Sequence, residues 1–176
     1  DRGLSSDTSI SIDFGIERAL DAIKASGAIT PGTVRRVAIV GPGLDFTDKQ
    51  EGHDFYPLQT VQPFAVIDSL ARLGLSPPAG LQITAFDLSP RVIQHFEAAR
   101  ERARGGRAYA LVLPRELDRP WTPELTKYWE RFGDRIGEDT KAAAPSPSAG
   151  RITVRSVLAR PAVVLSVVPR DLNIVV

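Results

Sequence analysis

An α/β fold, with a doubly wound, mainly parallel sheet and a β-hairpin inserted or adjacent to it, is the architecture to expect of this 176-residue chain. Three observations carry that expectation. Short unbroken apolar runs such as Val37-Ala38-Ile39-Val40 have the pattern of strands buried on both faces. Longer segments with a helical apolar period alternate with them. Breaks rich in glycine and proline, among them Gly41-Pro42-Gly43 and Ser76-Pro77-Pro78-Ala79-Gly80, separate the two kinds of segment.

In chain order, residues 1–33 read as a helical lead-in. Ser11 or Asp13 caps a helix whose buried face is Phe14, Ile16, Ala19, Leu20 and Ile23, closed by Gly27 and laid across the sheet edge. A single domain follows over 34–176. Its first strand is Val34 to Val40. A polar loop, Thr47 to Tyr56, comes next and carries Asp48, Lys49, Glu51, His53 and Asp54. The second helix runs from Pro57 or Gln59 to Leu73, and Gly74 closes it. Leu81 to Phe86 forms the second strand and ends on Asp87; Ser89 caps a helix over Arg91–Arg104, with Pro90 at its first position. A third strand, Tyr109 to Leu113, stops at Pro114. The helix Glu124–Ile136 buries Leu125, Tyr128, Trp129, Phe132 and Ile136, an aromatic set with core spacing. Residues 137–150 read as a flexible link, and Arg151–Leu158 with Ala162–Val168 as two strands of a hairpin joined at Ala159-Arg160-Pro161.

Composition narrows the function. With 22 basic and 21 acidic residues the net charge is +1, so nothing directs the chain to nucleic acid or to an anionic membrane. No apolar run approaches the ~20 residues of a spanning helix, and a cytoplasmic setting is the expectation. The absence of cysteine excludes disulfides and thiolate metal sites, and two histidines make no metal cluster. His53 is read as a surface residue. There is no methionine and the chain stops inside the apolar run Ile174-Val175-Val176, so a fragment of a longer protein is expected, with the sheet incomplete at the C-terminus.

The candidate site lies at the strand ends. In open α/β sheets ligands settle at the carboxyl ends of parallel strands, and Gly41 and Gly43 leave no side chain in the way. Asp87, closing the second strand, suits a bidentate grip on two ribose hydroxyls; capping the next helix is the alternative role. The dinucleotide fingerprint fails. Its third glycine position holds Phe46, and Asp87 follows Gly41 by 46 positions where about 20 are usual.

Together Val37-Ala38-Ile39-Val40-Gly41-Pro42-Gly43, the Glu51-Gly52-His53-Asp54 loop and Ala85-Phe86-Asp87-Leu88-Ser89-Pro90 resemble class I S-adenosylmethionine-dependent methyltransferases. The likeness is greatest to the chemotaxis receptor methyltransferase type. The Leu113-Pro114-Arg115-Glu116-Leu117 turn, a hairpin over 152–168 and Asp171-Leu172 continue the resemblance. It implies a Rossmann-like domain that binds the small-molecule cofactor S-adenosyl-L-methionine and transfers its methyl group to an undetermined acceptor. Carried over residue by residue, Gly41, Pro42 and Gly43, with Asp45 just beyond, face the methionine end, and Asp87 holds the ribose. Leu88 packs on the adenine, and Asp171 with Leu172 takes its amino edge. The chain departs from the pattern at Ile39, where relatives carry an acid, and at Asp171, where they carry asparagine. No catalytic residue is nominated. The alternative is a non-catalytic Rossmann-like module that binds a nucleotide or a protein; an NAD-type oxidoreductase is disfavoured by Phe46 and the long spacing.

Overall fold

The computed structural model describes residues 10–45, 58–77, 79–117, 120–142 and 152–172. It is a mixed α/β structure with two three-stranded sheets, one parallel and one antiparallel. In chain order the elements are α1 (Ile10–Ala25), β1 (Arg36–Val40), α2 (Gln62–Arg72), β2 (Gln82–Asp87), α3 (Pro90–Arg104) and β3 (Tyr109–Glu116). They are followed by α4 (Pro123–Arg131), β4 (Gly137–Thr140), β5 (Ile152–Ala159), α5 (Pro161–Ser166) and β6 (Val167–Asp171).

The parallel sheet has the order β1-β2-β6. Val40 stands opposite Phe86, and Asp87 opposite Asp171, so all three strands finish at one edge. Both parallel pairs need a crossover, and α2 supplies the first. The alternation in β2 buries Ile83 and Ala85, but β1 is not buried on both faces as expected: it is an edge strand in which only Ile39 is buried while Ala38 and Val40 are exposed. In the antiparallel sheet β5 lies between β3 and β4. Leu111 and Leu113 of β3 join Val157 of β5, Phe64 and Leu70 of α2 and Phe132 beyond α4 in one hydrophobic core that takes in residues of both sheets. No helix among the described residues is long and apolar enough to cross a membrane.

Several expectations are corrected. The sheet is not mainly parallel: β3, β4 and β5 form an antiparallel unit. The hairpin over 152–168 does not form. Residues 161–166 are helical, and β6 joins β2 in the parallel sheet instead. Pro161 opens that helix at a position where its missing N–H costs nothing. An apolar run as short as Ala162-Val163-Val164-Leu165 has no period to separate strand from helix. The third strand continues through Pro114 to Glu116, which proline permits because β3 is an edge strand of its sheet.

Helix α4 ends at Arg131, five residues short of Ile136, and Gly133 then turns the chain at φ 95°. The link expected over 137–150 contains β4, while residues 143–150 lie outside the described residues. Gly137 permits this pairing: a Cβ there would stand 2.1 Å from the Leu158 carbonyl oxygen. Helix α1 begins at Ile10, so Ser11 and Asp13 fall inside it, not at its cap. Of its expected inward face, Phe14, Ile16 and Leu20 pack against the core while Ala19 and Ile23 are exposed, and Ile10, Asp13 and Glu17 are buried as well. The helix packs on α2 and α4.

Candidate functional site

One backbone bond and two left-handed glycines fix the bend after β1. Gly41 N–H donates to the Phe86 carbonyl at 2.7 Å and continues the β1–β2 ladder one step past the strand. Gly41 and Gly43 have φ of 68° and 65°, a left-handed conformation that a side chain disfavours. A Cβ built on Gly41 would meet nothing within 4 Å. That clearance holds among the described residues.

Asp87 reaches into this place from the end of β2. One carboxylate oxygen accepts from Ser89 N–H at 2.8 Å and the other from Gly43 N–H at 3.3 Å. Its backbone carbonyl accepts from Leu172 N–H at 3.0 Å, which draws the end of β6 alongside. The carboxylate is thus oriented by both neighbours and retains lone pairs beyond the two amide contacts. Two large apolar side chains are exposed here, Val40 and Leu88, each at 66%. Apolar surface beside a fixed carboxylate at the ends of parallel strands has the composition of a small-molecule site.

The structure brings together Gly41, Pro42, Gly43, Asp87, Leu88, Asp171 and Leu172. Asp45 stands apart from them. It is buried, its N–H donates to Gln59 O at 2.9 Å, and its carboxylate accepts from Val61 N–H at 2.6 Å. Asp45 thereby caps the start of α2 across a long loop. The acidic loop with Glu51, His53 and Asp54 lies outside the described residues.

Sequence reasoning missed three features around this bend. Gln59, fully buried, clamps both backbone groups of Val112 in β3: its Oε1 accepts from Val112 N–H at 2.7 Å and its Nε2 donates to Val112 O at 2.9 Å. Asp13 is buried, with neither carboxylate oxygen hydrogen-bonded. Burial first, and the Asp45 charge second, raise its pKa well above the usual value. Tyr109 Oη accepts from Thr60 N–H at 2.9 Å and lies 2.8 Å from His95 Nε2. Burial and the charges of Arg102 and Arg91 keep the His95 ring in this contact neutral, its pKa lowered to about 4. Buried polar side chains in an apolar period give no signal of their own; Gln59 next to Thr60 reads as ordinary loop.

Among the described residues no cluster of three or more His, Asp or Glu is arranged to hold a metal ion. Compared with protein-family models, curated proteins and solved structures, the chain finds no match in any of the three.

Proposed function

We propose that this chain binds S-adenosylmethionine in a Rossmann-like, doubly wound arrangement, and that it serves methyl transfer to an acceptor yet to be identified. The observation that carries the reading is the contact between Asp87 and the Gly43 amide, beside the φ-positive bend at Gly41. A ribose offers two adjacent hydroxyls to a carboxylate, and Asp87 is held at the strand end where such a grip is made. The exposed Leu88 side chain offers an apolar wall for a purine, and the φ-positive bend a close approach for the methionine end. These residues fit the cofactor. Asp45, committed to Val61, is not among them.

When bound, the sulfonium cofactor supplies an activated methyl group, and the chain's part is to bind and orient it. Asp87 fixes the ribose, the bend fixes the far end, and the reacting partners gain most of their advantage from alignment. A base is not required for an acceptor that is already anionic, such as a carboxylate, because no proton then has to leave.

Calorimetry with S-adenosylhomocysteine tests this directly. Binding with a Kd on the order of micromolar, about 8 kcal/mol, is the expected result, with no heat from NADH. The two amide contacts of Asp87 also suit a second reading, a non-catalytic module in which the carboxylate only ties the bend to α3. No heat from S-adenosylhomocysteine selects that reading.

A further inference from the structure

We propose that Arg115, at the far end of β3, is an anion-recognition site that takes the carboxylate or phosphate of a small molecule end-on through its terminal nitrogens. The inference is independent of the adenosyl ligand. The guanidinium carbon lies 5.3 Å from the ring centre of Trp121 and 5.8 Å from that of Trp129. The two indoles meet edge to face, with centroids 6.5 Å apart at 86°. Trp129 is itself fixed, because its Nε1–H donates to Leu113 O at 3.0 Å. The cation is therefore held in one orientation by aromatic walls.

What those walls leave undone is the hydrogen bonding. A guanidinium carries five N–H donors in a plane and cannot shed its charge. Ring faces attract the cation but accept none of its edge-directed N–H bonds well. The Nε of Arg115 is buried with no partner, and the guanidinium makes no hydrogen bond or ion pair among the described residues. Other partly buried arginines behave differently. Arg72 is bound to Glu17, Arg100 to the Leu165 carbonyl, and Arg155 to the Trp129 carbonyl. Arg115 is half-buried, so its charge sits against low-dielectric walls where an anion contact is stronger than in water. The terminal nitrogens form the planar fork that matches two oxygens of a carboxylate or a phosphate.

The place of this group in the fold adds to the argument. Val112, clamped by Gln59 and through it joined to Asp45, is three residues before Arg115. At strand rise that is about 10 Å along β3. The cation is thus carried on a strand tied to the segment that follows the glycine bend.

The chain contains two tryptophans, and both flank this arginine, so fluorescence excited selectively at tryptophan, apart from the three tyrosines, reads this place. The experiment titrates the whole chain with succinate, with inorganic phosphate and with neutral succinamide, at constant ionic strength. The expected result is a saturable change with at least one anion and none with succinamide. A response to succinate alone identifies a carboxylate ligand, and one to phosphate alone a phosphate ligand. Arg115→Gln weakens the response roughly tenfold to a hundredfold. Arg115→Lys keeps the charge, loses the planar fork and serves where the glutamine variant fails to fold; it is expected to bind more weakly than arginine. No saturable change with either anion, an equal change with succinamide, or a variant that titrates like the native chain overturns the proposal.

Discussion

Under the proposed function, Asp87 serves the fold and a ligand together. Its amide contacts with Gly43 and Ser89 orient it before anything binds, so little ordering cost remains. Asp87→Ala is expected to weaken S-adenosylhomocysteine binding by about 1–3 kcal/mol, measured by calorimetry; an unchanged affinity assigns the carboxylate to the bend alone. Asp13 is the opposite case, a buried acid with no hydrogen bond on either oxygen. Its pKa is raised in the folded chain, so the folded state holds the proton more tightly than the unfolded one. The sign follows: stability is fully present below the ordinary aspartate value of 3.8 and declines as pH rises toward the elevated folded value. Asp13→Asn removes that dependence. Thermal melts should show the variant gaining on the native chain as pH rises from about 4, and parallel curves for the two would mean that Asp13 ionises normally.

At the scale of elements, α1 is tied to its neighbours by charge more than by its apolar residues. Buried Glu17 accepts from Ser69 Oγ at 2.9 Å and Arg72 Nε at 3.1 Å in or beside α2, and it pairs with Arg131 in α4. Arg72 also pairs with Asp68, which accepts from Arg135 N–H at 2.9 Å. Removing Glu17 leaves the buried Ser69 hydroxyl and one arm of Arg72 without their partner. Glu17→Ala should destabilise the chain by about 3 kcal/mol, read as a lower urea midpoint at unchanged slope. A loss below about 0.5 kcal/mol would place the network in the class of surface pairs. The facing of α1 was legible at Phe14, Ile16 and Leu20, which pack on the core, and not at Ala19 and Ile23; the ion pairs of Glu17, invisible to a count of apolar residues, hold that side chain inward. β1 and β2 were legible because their apolar residues are bounded by glycine, proline and aspartate. β4 was not, since Glu138 and Asp139 disfavour strands and only the neighbouring β5 recruits them. Likewise the aromatic set of α4 was correctly read as core, with Tyr128 and Phe132 fully buried, while the partnership of Trp129 with Arg115 depends on β3, a strand distant in sequence.

Across the whole molecule, the parallel half carries the candidate site and the antiparallel half carries Arg115. The edge where β1 and β2 finish was legible because glycine and aspartate mark it, while the place of β6 beside β2 was not. The division into two sheets was not, because pairing direction leaves no trace in a short apolar run. Gln59 links the halves, and Gln59→Leu would strand both backbone groups of Val112. A loss of about 2–4 kcal/mol in urea unfolding is expected from those two buried groups; stability within about 0.5 kcal/mol of the native chain would mean water replaces the amide.

A side-chain carboxamide has the same donor and acceptor as a peptide unit, and at Val112 it occupies the station that a neighbouring strand would fill. The junction is therefore a splice one residue long. Deuterium uptake at the Val112 amide is a gauge of that splice, and its rate reports how often the two halves part company without either one unfolding.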